Sequence, residues 1–553
     1  MTDQTSSVPQ PRPAPPPPVG AMHPTALSTA TRHLVAGAYL DERFCRAALE
    51  EVYEQPRRAV APSYGFDLGT VLAHCRRANT ILLVRDAVIV GVFLLSLCAT
   101  GLIGIVVGGV LLAGLQSAVS TVRLFRETLR RLTGGEPPRV YEIIRTAAAG
   151  TVAFTVSSVS LMLLTTLIGG LAVSQFAGGG ADSAVSSVVT MLFGTFMVTV
   201  LAGFGPPVIT RVLRWHHAVQ HGPAGRPTTP PLDARIEDIQ RQQGGNTIVY
   251  SGYSPFVGSG LVLDTTNLAL RMIRQPEGFD DRTAEAQREY DQLPFTAEQL
   301  VGYVRDQLAP LGRASAPEHR LPGLTVTDHV FTAGTETTEL ALSTDGPTMV
   351  GIIRQPLDAR RHYLACRVTS WKGELVTSVY VHFALQGRTL YLETATCALA
   401  PCRDEYRVID DVRSLGAVPY LRAAWTGLAE SPRVVALAPV NLLRAGLRWV
   451  VRRMQENQGA LPYGVDRGAR VGVRELATLD EVRNDFQMQD VAKYEEIVTR
   501  RVVAATLDFL VTHGVDVTEF RQRANVLINS GVYAGGNIGA IGDVKNSFNP
   551  SKK

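Results

Sequence analysis

Lysine is almost missing from this 553-residue sequence. Five stand in it, Lys372, Lys493, Lys545, Lys552 and Lys553, so arginine carries nearly all the positive charge. Charged residues of both signs amount to only 19%, below the quarter usual in soluble domains, and the net charge is +4. So small an excess excludes the broad basic surface that nucleic acid would need as the main partner. Cysteine is scarce too: Cys45, Cys75, Cys98, Cys366, Cys397 and Cys402 form no CxxC pair. No histidine lies at zinc-finger distance from Cys397 and Cys402, which leaves free thiols in a reducing compartment as the expectation. GxSxG, HExxH, Walker and kinase-like strings are absent as well. No cofactor or metal is expected, and an enzyme is the less favoured class, although catalytic groups can meet in space without a linear motif.

Charge is missing most completely from three stretches, 87–122, 146–181 and 183–210. About 20 apolar residues cross a bilayer as a helix. The spacing predicts four membrane helices, near 81–99, 102–120, 147–172 and 184–206, arranged as two helical hairpins. Pro206 and Pro207 are expected to stop the last one. Arginines flank this region on one side only. Arg76 and Arg77 precede it, Arg123, Arg126, Arg130, Arg131, Arg139 and Arg145 fill the central loop, and Arg211 and Arg214 follow. Short cytoplasmic loops hold the positive excess, which places the protein in the cell membrane as a multi-pass protein with both termini cytoplasmic. Paired wedges that enter one leaflet and return are the alternative. No acid, base or histidine lies deep in these helices, which argues against an ion-coupled transporter. Gly104 and Gly108 stand at GxxxG spacing, which suits helix packing first and a homo-oligomer second.

The remainder reads as ordinary globular sequence. Residues 1–24 form a Pro-rich arm, a solvated polyproline segment rather than a signal peptide. Residues 25–80 read as an N-terminal cytoplasmic helical segment and 211–244 as a linker, in which His217 and His221 lack a companion ligand. An α+β domain is expected over 245–430, C-terminal helices over 431–530 and a Gly/Asn-rich tail over 531–553. The string YSGYSPFVGSG makes Tyr250, Gly252, Tyr253, Gly258 and Gly260 candidate ligand or partner contacts, because glycines can free backbone N–H groups to hold an anion. Its spacing matches neither GxGxxG nor a Walker loop, so a tight turn anchored by aromatics competes with that reading. Thr296 with Gln299 forms a capping-box pattern that opens a helix. The run from Arg361 to Leu399 predicts a three-strand antiparallel meander with turns at Lys372-Gly373 and Gln386-Gly387. His382 and Glu393 sit on it singly, without an assigned partner. Arg444, Arg448 and Arg452 recur every four residues on an apolar, Trp-containing helix, the pattern of a candidate membrane-surface contact. A longer helix follows and ends at His513 and Gly514.

At YSGYSPFVGSG, SWKGELVTSVYVHFALQGRTLYLE and DFLVTHGVDVTEFRQRANVLINSG the chain resembles uncharacterised membrane proteins of high-GC Gram-positive bacteria. The resemblance implies four membrane helices and a cytoplasmic domain, and it implies no activity. The fold class expected is therefore mixed: a four-helix transmembrane region, a cytoplasmic α+β domain with an antiparallel sheet, and a C-terminal helical segment. The expected function is a membrane-anchored sensor, adaptor or scaffold. Its partners would be the lipid bilayer and a cytoplasmic protein bound through the Gly/Asn-rich tail or the Pro-rich arm. The alternative is an oligomeric pore or membrane-perturbing effector gated by the cytoplasmic domain.

Overall fold

The computed structural model describes residues 27–98, 182–276 and 285–524, apart from isolated positions and residues 458–463; over 182–200 it describes the backbone only. The predicted helices at 102–120 and 147–172, the central arginine loop, the Pro-rich arm and the Gly/Asn-rich tail lie outside the described residues.

Six strands form one mixed sheet: β1 (Thr247–Tyr250), β2 (Leu261–Arg271), β3 (Leu324–Ala333), β4 (Arg361–Ser370), β5 (Leu375–Gln386) and β6 (Thr389–Leu399). Their order is β1-β3-β4-β5-β6-β2. β1 and β3 run parallel and the other neighbours antiparallel. The expected meander is β4-β5-β6, and its tight turns hold Lys372, Gly373, Gly387 and Arg388 at positive φ. One face buries Leu364, Cys366, Val379, Val381, Phe383 and Leu392. Three helices cover that face: α6 (Ala297–Leu308), α7 (Gly346–Arg354) and α9 (Asp485–Thr512). Each fully buried side chain of this kind contributes about 1.5–3 kcal/mol, so this layer dominates the stability of the unit. The capping box of α6 is present, with Gln299 Oε1 accepting the Thr296 N–H at 2.9 Å. His513 caps α9, and Gly514 follows at φ +72°.

The opposite face meets the N-terminal segment. α1 (Thr29–Leu40) and α2 (Glu42–Ala48) share one core with the first turns of α3 (Leu68–Leu95), the end of α4 (Asp182–Val219) and α5 (Ala234–Gln243). Cys402, Tyr406 and Ile409 complete that core. His33 ties the two parts together, with Nδ1 2.7 Å from Glu374 Oε1 and Nε2 2.7 Å from Asp410 Oδ2. Arg32 Nη2 donates to the same Asp410 at 2.7 Å.

Three helix limits differ from expectation. α3 begins at Leu68 rather than near 81, because Asp67 Oδ1 accepts the N–H groups of Gly69 and Thr70 and starts the helix inside the N-terminal core. α4 runs through Pro206 and Pro207 to Val219 instead of stopping there. Each proline removes an N–H and crowds the preceding turn, at a cost of about 3 kcal/mol in a free helix. Here α8 (Ala417–Asn457) packs on that segment, with Gly427 against the Pro207 carbonyl and the Val208 Cα, and offsets the cost. The stretch 211–244, expected as a linker, holds the last turns of α4 and the whole of α5, capped by Asp233 Oδ1 on the Ile236 N–H at 2.8 Å.

Among the described residues two helices are long and apolar enough to cross a membrane, α3 over Leu68–Leu95 and α8 over Ala417–Gln455. The sequence reading placed a membrane helix at the first of these and none at the second. α8 shows why composition alone misses it: arginines interrupt the run, yet Leu421, Trp425, Leu443, Leu447 and Val450 all face outward.

Candidate functional site

The loop 250–260 folds over the sheet face opposite the three helices, beside the N-terminal segment. Phe256 stacks on Tyr380 at 4.7 Å between ring centroids and meets Phe331 and Tyr363 edge-on at 5.4 and 5.6 Å. Edge-to-face and offset pairs of this kind add about 0.5–1.5 kcal/mol each beyond burial. Ser259 Oγ lies 2.7 Å from the Tyr380 hydroxyl. Burial lifts the Tyr380 phenol well above its ordinary pKa, so it serves here as a neutral hydrogen-bonding group.

Gly258 and Gly260 do present their N–H groups to an anion, and the anion belongs to the chain. Glu475 Oε1 accepts from Gly258 at 2.8 Å and from Gly260 at 3.0 Å, while Oε2 accepts from Gly472 at 2.7 Å. Both loop glycines sit at positive φ, +85° and +86°. A Cβ at Gly260 would collide with the Ala398 carbonyl oxygen. The base of the loop is thus an internal lock, filled by a side chain 215 residues away.

The tip of the loop is different. Tyr250 pairs its backbone with Ala469 as a parallel bridge, and its carbonyl accepts the Gly334 N–H at 2.8 Å. Ser251 Oγ donates to Asp466, which also accepts the Gly468 N–H at 2.9 Å. Gly252 and Tyr253 then project into solvent, and the Tyr253 ring is fully exposed. Of the five candidates in this string, Tyr253 alone offers its side chain wholly to an outside partner.

His382 and Glu393, isolated in the sequence, are register partners across β5 and β6. Tyr363 joins them from β4: its hydroxyl donates to Glu393 Oε1 at 3.1 Å and its ring lies 5.0 Å from that of His382. Burial and the Glu393 charge push the Tyr363 phenol pKa upward, which keeps it a donor. Burial likewise lowers the His382 pKa, leaving a neutral imidazole. Its Nδ1 sits 2.7 Å from the His362 carbonyl, and only an Nδ1–H can bond there, so Nε2 carries a lone pair. A carboxylate and an imidazole lone pair thus meet in an acceptor-rich corner, in which Tyr363 and His382 are buried and Glu393 is half-buried. Sequence reasoning missed the corner because the pairing depends on strand register, which the turn at Gly387 sets.

Beyond this corner, His329 Nε2 lies 3.1 Å from Thr327 Oγ1 and 3.5 Å from Arg367 Nη2. Burial first, and the Arg367 charge second, lower the His329 pKa to about 3. The Arg367 guanidinium sits 3.4 Å above the Tyr64 ring, which joins the N-terminal segment to the sheet. On the covered face Asp328 accepts from Arg305 at 2.9 Å and lies 3.0 Å from His362 Nε2. Burial works against the Asp328 carboxylate, but the hydrogen bond and charge of His362 and Arg305 hold its pKa below the ordinary value.

The three candidate membrane-surface arginines separate. Arg448 pairs with Glu50, and the Arg452 guanidinium lies 5.8 Å from the Tyr53 ring centroid. Only Arg444 is exposed. Arg448 and Arg452 are turned toward the N-terminal unit, while Leu443, Leu447 and Val450 beside them face outward. His221 has its ring nitrogens 2.9 and 3.3 Å from the carbonyls of His217 and Thr228. Among the described residues no cluster of three or more His, Cys, Asp or Glu side chains could hold a metal ion.

Residues 265–542 match the family described as the AbeC-like domain. No curated protein and no solved structure matches the chain.

Proposed function

The chain belongs to the AbeC-like domain family, and from that premise we propose a membrane-anchored sensor, adaptor or scaffold whose α+β unit binds a ligand or protein partner. One observation carries the reading. Apolar side chains stand outward on three adjoining helices, with Leu95 of α3 70% exposed, Leu201 of α4 67% and Leu443 of α8 65%. A water-soluble monomer rarely leaves so long an apolar surface uncovered. Beside it stands a packed α+β unit that presents the 250–260 loop, with the Tyr253 ring fully exposed at its tip.

In this reading the bilayer holds the apolar ends of α3 and α4, and the sheet unit lies on the cytoplasmic side with both termini. That side follows from the arginines around the apolar stretches. The exposed Tyr253 is the contact point for a partner. The test is a native pull-down of the detergent-solubilised full chain beside a Tyr253→Ala variant and a chain truncated after Ser530. A specific partner retained by the full chain and lost from one variant supports the adaptor reading and identifies the contact. Recovery of the full chain in the soluble fraction, without detergent, overturns the anchor. Empty capture together with conductance in planar bilayers replaces the adaptor with an oligomeric pore.

A further inference from the structure

α8 is the helix whose placement the membrane reading leaves open, since by length and hydropathy it passes as a span. Its contacts decide how it runs. α3 leaves the N-terminal unit, with Leu68 and Leu72 in the shared core and Leu94 and Leu95 exposed. α4 returns to it, with Leu201 exposed and Ala218 in that core. α8 begins at the unit, where the Tyr420 hydroxyl lies 3.0 Å from His216 Nδ1. It then moves outward along α4, so that Gly427 rests on Pro207 and Val208. Farther on it meets α3, where Asn441 Nδ2 donates to Asp86 Oδ2 at 3.0 Å. It ends back at the unit, with Arg448 on Glu50 and Arg452 beside the Tyr53 ring, which Arg76 of α3 also flanks at 5.8 Å. A helix that walks out along one neighbour and back along the other starts and finishes on the same side.

The outer surface of α8 has the make-up of an interfacial helix. Leu421, Trp425, Val440, Leu443, Leu447 and Val450 form its exposed apolar stripe. Arg422, Arg433 and Arg444 are exposed and eleven residues apart. That is close to three helical turns, so they line up beside the stripe. Among the described side chains of α8 no carboxylate is exposed. Apolar residues with a basic flank favour the headgroup and acyl boundary of an anionic bilayer. Trp425 and Trp449, both exposed, suit that level. α3 and α4, on which α8 packs, also expose the apolar side chains that the proposed anchor uses.

We infer that α8 lies along the cytoplasmic face of the bilayer, with its apolar stripe on lipid and both ends fastened to the N-terminal unit, and does not cross the membrane. This rests on the anchoring reading above. The test is depth measurement on the full chain in nanodiscs of phosphatidylcholine and phosphatidylglycerol. Spin labels are placed singly at Leu421→Cys, Leu443→Cys and Val450→Cys in a Cys98→Ser background, and a fourth at Leu94→Cys reports the anchor. Relaxation by oxygen and by a water-soluble nickel chelate gives each depth. The expected result is one shallow, shared depth for the three α8 labels and a deeper position for Leu94→Cys. Depth that passes through the bilayer centre between positions 421 and 450 overturns the inference in favour of a span. Three water-exposed α8 labels beside a lipid-embedded Leu94→Cys overturn it in favour of a protein contact. A label at Leu94→Cys in water overturns the anchoring reading itself.

Discussion

Arg474 and Glu475 are neighbours in the chain and satisfy backbone groups of opposite polarity. Arg474, fully buried, donates to the carbonyls of Tyr64, Gly373, Glu374 and Ala400, at 3.0, 2.6 and 3.2 Å for the first, second and fourth. Glu475 collects three N–H groups from Gly258, Gly260 and Gly472. One dipeptide therefore satisfies seven backbone groups that the loop, the sheet turns and the N-terminal segment leave open.

Glu475→Ala is expected to destabilise the folded protein by about 3 kcal/mol, since buried N–H groups without acceptors cost about 1–3 kcal/mol each. Glu475→Gln keeps one carbonyl oxygen and loses about half as much. Urea unfolding in detergent, with limited proteolysis of the 250–260 loop, measures both. Equal stability of Glu475→Ala and the parent would remove the lock from this account.

Gly260→Ala combines a left-handed backbone, costing about 1–2 kcal/mol for an L-residue, with a clash against the Ala398 carbonyl. A loss above about 2 kcal/mol is expected in the same unfolding measurement. Unchanged stability would show that the loop can move off β6.

The pH dependence of stability has a defined sign at His329. Its folded pKa, about 3, lies below the unfolded value of about 6.5. Between these values the unfolded chain binds a proton that the folded chain refuses. Stability present above pH 6.5 is therefore lost as pH falls, by about 1.4 kcal/mol per pH unit. The slope of unfolding free energy between pH 6 and 5 should flatten by that amount in His329→Gln. An unaltered slope would mean that His329 is protonated in the folded state.

Tyr253→Ala should leave stability within about 0.5 kcal/mol of the parent, because the ring touches solvent only. Partner capture should fall at least tenfold. Equal capture by both forms would exclude Tyr253 as the contact.

What could be read from the sequence was local. The capping box at Thr296 and Gln299, the β4-β5-β6 meander and the His513-Gly514 stop each depend on residues a few positions apart, where spacing carries the signal. The glycine string allowed an anion cradle or a turn anchored by aromatics, and could not name an occupant, because Glu475 is separated from it by more than 200 residues. Pro206 and Pro207 misled for a related reason: their helix-breaking tendency is intrinsic, and the packing of α8 that offsets it is not visible in their neighbourhood. His382 and Glu393 required the register of two strands before they became a pair.

The bond from Arg32 to Asp410 joins residues 378 positions apart. At a synthesis rate of about 5–20 residues per second, the N-terminal helices emerge tens of seconds before the partner that completes their core. Tyr406, against which Gly37 packs, arrives equally late. Long-range closure of this kind slows folding and exposes apolar surface meanwhile. The early helices thus carry uncovered apolar surface until residues 402–410 are made, and stalled synthesis before residue 400 would leave that side of their core open.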